Sequence, residues 1–220
     1  MALNKESHFD FSKKICYNIY IIKHKGVIIM KVIVIVDMQY DFIDGALGSP
    51  EAQAIVPTMI KRLKEYEEEM PLVIFTKDTH KENYLETSEG KNLPVEHCIK
   101  GSNGWCIYKD IAALVDNGNF MRLVENNGRI EKPTFGSVEL ADILREIYAH
   151  SLLEGAGLTE FIFMGVCTDI CVISNVLLTK ACIPEAKITV DASCCAGVSP
   201  EKHAAALEVM KSCQINIINE

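Results

Sequence analysis

The run of six residues from Lys31 to Val36 (KVIVIV) limits the fold of this chain more than any other stretch. After its lysine it is continuously apolar and β-branched, which is typical of a strand buried on both faces of a parallel sheet. Similar runs recur at 72–76, 160–166 and 187–191, with helical patterns between them. Because strand and helix alternate, the sequence predicts a single-domain three-layer α/β/α fold with a mostly parallel sheet.

Composition limits the number of domains and the kinds of partner. The chain has 220 residues, is 49% apolar and carries a net charge of −8, with a pI of about 5.3. These values predict one globular domain with a sizeable core. The absence of a basic tract argues against nucleic acid and anionic membranes as partners. The nine cysteines are odd in number and several lie in apolar segments, so we expect free thiols and a cytoplasmic location.

The first 29 residues stand apart from this pattern. Residues 13–30 look superficially like a signal peptide, but Lys23, His24 and Lys25 interrupt the apolar run and no small-residue cleavage site follows. Met30 directly precedes the first predicted strand. We therefore expect residues 1–29 to form an N-terminal extension and residues 30–220 to form the domain.

Two segments have boundaries that matter for the site. The apolar spacing predicts a helix over about 53–69, with Pro57 in its first turn, where proline is tolerated. Residues 121–125 are predicted as the third strand, and the loop after it contains Lys132. The long segment from 81 to about 109 is irregular in pattern, and long loops of this kind are usually functional.

Polar residues follow the predicted strands where each one ends. Asp37 follows the first strand, Asp78 and His80 follow the second, and a turn from Gly165 to Cys171 follows the fourth. Parallel sheets bind their ligands beyond the carboxyl ends of their strands, so these groups are expected at one edge.

Cys171 lies in the stretch 161–173, which reads as strand, tight turn and helix. In the first turn of a helix, free backbone N–H groups and the helix dipole favour a thiolate, so we expect a pKa below roughly 8.5. The alternative is a small buried hydrophobe, the commoner state of a free cysteine.

Asp37 and Lys132 can supply the other groups that a nucleophile needs. Asp37 follows an apolar strand, so burial should raise its pKa and suit it to be a general base; the alternative is a carboxylate that only caps a strand end. Lys132 alone would be a surface lysine, but beside Asp37 and Cys171 it would stabilise a thiolate. Together the three residues fit covalent catalysis.

A second group of side chains has the chemistry of metal ligands. Asp78 and His80 are two apart on an extended segment and therefore face the same side, and His97 lies in the long loop. One carboxylate with neutral imidazoles suits Zn²⁺, Mn²⁺ or Fe²⁺. The alternative for each histidine is an ordinary hydrogen-bonded side chain.

Three motifs carry a resemblance to a known superfamily. They are DMQYDF at 37–42, KPTFGS at 132–137 and GVCTDICV at 165–172, and they resemble the signatures of the isochorismatase-like cysteine hydrolases, which include nicotinamidases and related amidases. The resemblance extends over nearly all of 30–220. It implies a triad of Asp37, Lys132 and Cys171 and a six-stranded sheet. It also implies a cis peptide between Val166 and Cys167, and an oxyanion hole formed by the N–H groups of Cys167 and Cys171.

The same resemblance bears on the metal. KDTH at 77–80 and HCIKG at 97–101 are similar to the metal-binding stretches of nicotinamidases, in which the metal holds a pyridine nitrogen and a water. It implies Asp78, His80 and His97 as ligands. Glu89 is the first choice for a fourth ligand, and Glu86 is the reserve.

The expected substrate pocket departs from that of nicotinamidases. Thr79 and Leu93 stand where those enzymes usually have Trp and another aromatic residue, whereas Phe42 keeps one aromatic wall. Phe42, Leu93 and Val166 are expected to line the pocket. Trp105 lies in the same long loop, where it either lines the pocket or packs the loop down.

The sequence thus predicts a cysteine amidohydrolase that cleaves a small carboxamide through a thioester and requires a divalent metal. Nicotinamide is the first candidate substrate, and another small amide or ureide is the alternative. Isochorismate hydrolysis is disfavoured, because that branch of the superfamily does not use the nucleophilic cysteine that Cys171 provides. A relative that binds metal or senses redox state without catalysis stays open, as does a homo-oligomer.

Overall fold

The structure of the chain, a computed structural model, describes residues 31–123, 125–153 and 159–220. The predicted N-terminal extension, residues 1–29, lies outside the described residues. None of the helices in the described ranges is long and apolar enough to cross a membrane.

A parallel sheet forms the centre of the molecule. Its strands are β1 (Lys31–Val36), β2 (Leu72–Asp78), β3 (Met121–Arg122), β4 (Arg129–Lys132), β5 (Glu160–Val166), β6 (Lys187–Ala196) and β7 (Asn216–Ile218). Their order is β3-β2-β1-β5-β6-β7, and β4 also pairs with β2. From Val32 to Val36, β1 has no solvent exposure, as its β-branched run predicts.

Helices cover both faces of this sheet, which confirms the predicted three-layer α/β class. They are α1 (Tyr40–Ile43), α2 (Pro50–Tyr66), α3 (Ser88–Asn92), α4 (Lys109–Asn117), α5 (Val138–Leu153), α6 (Ile173–Cys182) and α7 (Pro200–Ser212). Short 3₁₀ turns occur at Glu67–Glu69, Tyr84–Glu86 and Glu125–Gly128, and a π turn occupies Thr168–Val172.

Within the described residues the sheet has seven strands, whereas six were predicted. The edge position beside β2 is filled twice, by β3 against Leu72–Val73 and by β4 against Phe75–Asp78. Lys132 is therefore the last residue of a strand and pairs in register with Asp78, although the sequence predicted it in a loop. Backbone pairing fixes its position more firmly than a loop would.

The first long helix also begins earlier than the sequence predicted. Ser49 caps α2, because its hydroxyl accepts a hydrogen bond from the Ala52 amide at 3.0 Å, and Pro50 occupies the first position. Pro57 consequently lies inside the helix and not in its first turn. The capping serine and the proline at 49–50 are a short signal for a helix start, whereas the apolar spacing by which the sequence predicts the helix begins only at about residue 53.

Strand order places the site. From β1 the chain proceeds outward through β2 and β4 on one side, and after β5 it proceeds outward through β6 and β7 on the other. The crevice at such a reversal, beyond the carboxyl ends of β1 and β5, is where open α/β sheets bind ligands.

Gly165 in β5 offers a test of this packing. Its φ is +130°, and a Cβ there would lie 2.1 Å from the Val36 carbonyl oxygen. We expect Gly165→Ala to lower the free energy of unfolding by about 3 kcal/mol or more, because backbone strain and a steric clash add together. Urea denaturation measures this.

Gly101→Ala is the matched control. Gly101 also has a positive φ, of +89°, but a Cβ added there would meet no atom of the described residues within 4 Å beyond its own chain neighbours. Conformational strain alone should then cost about 1–2 kcal/mol. Equal losses in the two variants would contradict the tight contact between β1 and β5.

Candidate active site

The three predicted catalytic side chains meet at the carboxyl edge of the sheet. Lys132 Nζ lies 2.6 Å from Asp37 Oδ2 and 3.5 Å from Cys171 Sγ. It also lies 3.3 Å from Asp78 Oδ1 and donates a hydrogen bond to the Thr134 carbonyl at 3.1 Å. All three predicted residues are buried, with exposures of 0% for Asp37, 1% for Lys132 and 6% for Cys171.

Asp37 is oriented by the end of the neighbouring strand. The Thr76 hydroxyl donates to Asp37 Oδ1 at 2.7 Å, and the Asp37 amide donates back to the Thr76 hydroxyl. Oδ2 accepts no well-aligned hydrogen bond from the described residues, so Lys132 holds it chiefly by charge. Burial raises the pKa of Asp37, and the Lys132 ammonium opposes this rise. A carboxylate with a raised pKa, held by an ammonium at one oxygen, suits a general base.

The charge of Lys132 is retained in spite of its burial. Burial works to lower the pKa of the ammonium, but the surrounding negative charges, that of Asp37 first, outweigh it, so the pKa of Lys132 lies above its ordinary value. Lys132 therefore stays a cation at neutral pH.

The environment of Cys171 differs from the predicted one. The residue lies in the π turn Thr168–Val172, before α6 begins at Ile173, and not in the first turn of an α-helix. Burial first, and then the negative charge of Asp37, raise the pKa of the Cys171 thiol well above its ordinary value, while Lys132 acts to lower it. The predicted lowering is wrong, because desolvation exceeds the effect of the turn. The resting thiol thus keeps its proton until a base removes it.

The turn before Cys171 has the predicted backbone conformation. The peptide between Val166 and Cys167 is cis, and Cys167 follows β5 directly. The Cys167 carbonyl accepts hydrogen bonds from the amides of Ile170 and Val172 at 3.1 and 3.0 Å, which closes the turn. The oxyanion-hole role of the Cys167 and Cys171 amides stays a prediction.

The four predicted metal ligands form a cluster next to the triad. Asp78, His80, Glu89 and His97 each offer one ligand atom, and these atoms all lie within 4.8 Å of one another. Asp78 Oδ2 lies 2.9 Å from His80 Nε2 and 3.4 Å from His97 Nε2. Glu89 Oε1 lies 3.6 and 3.8 Å from the same two nitrogens, whereas the reserve ligand, Glu86, is not part of the cluster.

The donor chemistry of this cluster fits a divalent cation. His97 Nδ1 lies 2.8 Å from the Val95 carbonyl, so the proton of the neutral ring belongs on Nδ1 and the Nε2 lone pair faces the cluster. Burial and the Asp78 charge raise the pKa of Glu89, as expected for two carboxylates that face the same site. Two carboxylates and two imidazoles suit Zn²⁺, Mn²⁺ or Fe²⁺.

A cavity of about 500 Å³ opens beside both groups. Cys167, Cys171, Asp78, Glu89 and His97 line it, as do all three predicted pocket residues, Phe42, Leu93 and Val166. The Cys171 thiol and the candidate metal ligands therefore face the same cavity, which is large enough for a small molecule.

The sequence analysis missed several residues that line this cavity. Phe135 adds a second aromatic side chain where a single aromatic wall was expected, and Lys202 adds a cation. The signal for Phe135 was available, since it lies three residues after Lys132 in KPTFGS. Gly197 and Val198 also reach the cavity, because β6 continues to Ala196 and not only to the predicted Asp191.

A buried amide ties two of the catalytic segments together. Asn175 Nδ2 donates to the Cys171 carbonyl at 2.8 Å and to the Phe135 carbonyl at 3.2 Å, and Asn175 Oδ1 accepts from the Ser137 amide at 2.9 Å. These three hydrogen bonds link the turn that contains Cys171 to the loop after Lys132. The signal for Asn175 in the sequence was weak, a polar residue one helical turn after Cys171.

Trp105 packs the long loop down, which decides between the two predicted roles. It does not line the cavity. Its indole N–H donates to the Thr79 hydroxyl at 2.9 Å, and the Lys77 ammonium lies 2.9 Å from the centre of its ring. Cation–π contact and the hydrogen bond hold the loop against β2.

The model of the isochorismatase domain family matches residues 31–219. The chain belongs to the isochorismatase family. It is 26% identical to the nicotinamidase of Schizosaccharomyces pombe over 213 residues, which cover 86% of this chain and 92% of that one.

Solved structures of this family share the fold. The pyrazinamidase of Pyrococcus horikoshii in complex with zinc matches with a TM-score of 0.65 and 26% identity, over 86% of this chain and 99% of that one. The pyrazinamidase/nicotinamidase of Streptococcus mutans matches with a TM-score of 0.67 and 26% identity, over 86% and 99%.

The charges around Cys171 predict opposite effects of two substitutions. The Asp37 charge raises the pKa of the thiol and the Lys132 charge lowers it. Asp37→Asn should therefore move the midpoint of a pH–alkylation profile down by about 1–3 units, and Lys132→Met should move it up. Iodoacetamide labelling of the Cys171 peptide, followed by mass spectrometry, measures the midpoint.

Cys106 is the internal reference for this experiment, because it is an exposed free cysteine outside the site. Its labelling profile should not move in either variant. A midpoint for Cys171 that rises in Asp37→Asn would contradict the assigned electrostatics.

Proposed function

We propose that this chain is a cysteine amidohydrolase that cleaves a small carboxamide to the acid and ammonia. The observation that carries the proposal is the position of Lys132 Nζ, 2.6 Å from Asp37 Oδ2 and 3.5 Å from Cys171 Sγ, where Cys171 lines a cavity together with Asp78, Glu89 and His97. The enzyme class is that of hydrolases that act on carbon–nitrogen bonds other than peptide bonds, in keeping with the family and its named relatives.

In the first half of the reaction, Asp37 removes the proton from Cys171 Sγ, and the thiolate attacks the carboxamide carbon. The raised pKa of Asp37 makes it a stronger base, and the ammonium of Lys132 stabilises the new thiolate. The backbone amides of Cys167 and Cys171 are proposed to stabilise the tetrahedral oxyanion. Asp37 then gives its proton to the amide nitrogen, ammonia leaves and a thioester remains.

In the second half, Asp37 takes a proton from a water molecule, and the hydroxide adds to the thioester carbon. The tetrahedral intermediate collapses, the carbon–sulfur bond breaks and the proton returns to the sulfur of Cys171. Asp78, His80, Glu89 and His97 would hold a divalent cation. When bound, such a cation supplies a Lewis acid that can hold a heteroatom of the substrate.

Nicotinamide is the first candidate substrate. Phe42 and Phe135 both line the cavity, so the pocket has two aromatic side chains and not the single one that the sequence predicted. Aromatic contacts are worth about 0.5–1.5 kcal/mol beyond area burial, which favours a flat aromatic ring. The nearby metal cluster is suited to a ring nitrogen, and the named relatives include a nicotinamidase.

A small amide or ureide that carries a carboxylate is the second candidate. Lys202 is exposed at its position in α7 and lines the same cavity, where a cation can pair with an anionic substrate group. Leu93 in place of an aromatic residue also makes this pocket less specific for flat rings.

We further propose a reducing cytoplasm as the location, supported by the eight cysteines of the described residues, all of which are free.

Replacement of the nucleophile tests the chemistry. We expect Cys171→Ala to reduce kcat for ammonia release by about 10⁴-fold or more, because no thioester can form. Ammonia is measured over nicotinamide, pyrazinamide, carbamoyl amino acids and biuret, with and without chelator. Cys213→Ala is the control, since that cysteine is free and lies outside the cavity.

Full turnover in Cys171→Ala would refute the mechanism. No ammonia from any of these compounds with the wild-type protein would favour the non-catalytic metal- or redox-binding alternative. Activity that is indifferent to chelator would remove the cation from the proposal.

Two variants separate the two substrate classes. Phe135→Leu should raise KM for nicotinamide about 3–10-fold, since it removes an aromatic contact. Lys202→Met should raise KM for a carboxylate-bearing ureide and leave nicotinamide unaffected, since it removes only the charge. If Lys202→Met weakens both substrates equally, the cation does not select between them.

A further inference from the structure

The loop region between β1 and α2, which includes the short helix α1, carries two polar side chains that the proposed mechanism does not use. Gln39 and Asp41 lie between Asp37 and Phe42, the two residues of DMQYDF that do have proposed roles. Neither Gln39 nor Asp41 lines the cavity, and neither belongs to the metal cluster. Their contacts nevertheless lead directly to the backbone of the metal ligands.

The Gln39 side chain forms hydrogen bonds with both backbone groups of Asp78, its N–H and its C=O. Its Oε1 accepts from the Asp78 amide at 2.7 Å, and its Nε2 donates to the Asp78 carbonyl at 2.9 Å and to the Trp105 carbonyl at 3.0 Å. Gln39 has no solvent exposure, and both of its N–H groups are used. These bonds hold both the N–H and the C=O of Asp78, so the backbone from which its carboxylate projects is held in place.

Asp41 has the corresponding role for the histidines. Its Oδ2 accepts from the Cys98 amide at 2.7 Å, and Cys98 directly follows His97. The carbonyl of Cys98 accepts in turn from the His80 amide at 3.0 Å. One carboxylate therefore holds the residue that connects both histidines. Cys98 has a φ of +46°, a conformation that a non-glycine residue adopts only when its surroundings hold it there.

We propose that Gln39 and Asp41 are positioning residues of the metal site, which set its affinity for a divalent cation through Asp78, His80 and His97. The inference rests on the proposed metal site. Ligands that are held in place before a cation arrives lose little freedom when they bind it, so affinity should depend on the groups that orient them.

A purely structural role is the competing explanation. Both side chains also hold the long loop in place, since Gln39 donates to the Trp105 carbonyl and the Asp41 carboxylate accepts from the Cys98 amide. A structural role would lower the stability of the metal-free protein and leave the affinity of the folded protein for a cation unchanged. The two explanations therefore differ in a measurable quantity.

The test is a Zn²⁺ titration of the full-length, metal-free protein against a competing chelator, with thermal unfolding of the metal-free form measured in parallel. Gln39→Met and Asp41→Ala should each weaken Zn²⁺ binding about 10–100-fold. Asp41→Asn keeps an acceptor oxygen without the charge, so its Kd should stay within about threefold of wild type if the hydrogen bond matters and not the charge.

Two exposed residues supply matched controls. Asp44→Ala removes a carboxylate from the same loop, and Gln53→Met removes an amide from α2; both side chains are exposed. Neither control should change the Kd for Zn²⁺.

The outcomes separate this inference from the proposed metal site. If Gln39→Met and Asp41→Ala bind Zn²⁺ as tightly as wild type, the inference is wrong while the site stands. If wild type itself binds no Zn²⁺, the proposed site fails, and the inference fails with it. Should Gln39→Met not fold, the Asp41→Ala and Asp41→Asn pair decides alone.

Discussion

The site depends on one buried ammonium group, that of Lys132. Burial of a lone ammonium costs several kcal/mol, so such a group must be surrounded by partners of opposite charge. Asp37 and Asp78 provide them at 2.6 and 3.3 Å, from the ends of two different strands. Because the partners belong to β1 and β2, the lysine on β4 joins three strands. The Cys171 thiol lies near the same ammonium, at 3.5 Å.

This arrangement couples the two groups of side chains at the sheet edge. Asp78 offers one carboxylate oxygen to Lys132 and the other to the two histidines. A cation held by the cluster would therefore share one carboxylate with the ion pairs of Lys132. The hydrogen bonds of the histidines outweigh burial and hold the pKa of Asp78 well below its ordinary value, so this shared group is ionised.

Burial also determines whether the Cys171 thiol ionises. A thiol at an exposed helix start can ionise unaided, whereas Cys171 is desolvated and faces the Asp37 charge, so its pKa is raised. The raised pKa of Asp37 brings it closer to the pKa of the Cys171 thiol, which favours transfer of a proton from the thiol to the carboxylate. The site therefore favours a protonated Cys171 thiol over a resting thiolate, in keeping with the proposed transfer of its proton to Asp37.

The sequence by itself determined the fold class and predicted which residues gather at the site, because apolar runs define buried strands and the polar residues that follow them must lie at one edge. It also pointed to Glu89 through resemblance. Only the tertiary structure decided the raised pKa of Cys171, the strand position of Lys132 and the second aromatic wall from Phe135. Those features depend on burial and on partners that are distant in the sequence. Gln39, for example, donates hydrogen bonds to the carbonyls of Asp78 and Trp105, which follow it in the sequence by 39 and 66 residues. Local pattern carries no record of such contacts, since desolvation and long-range hydrogen bonds exist only after the strands have assembled.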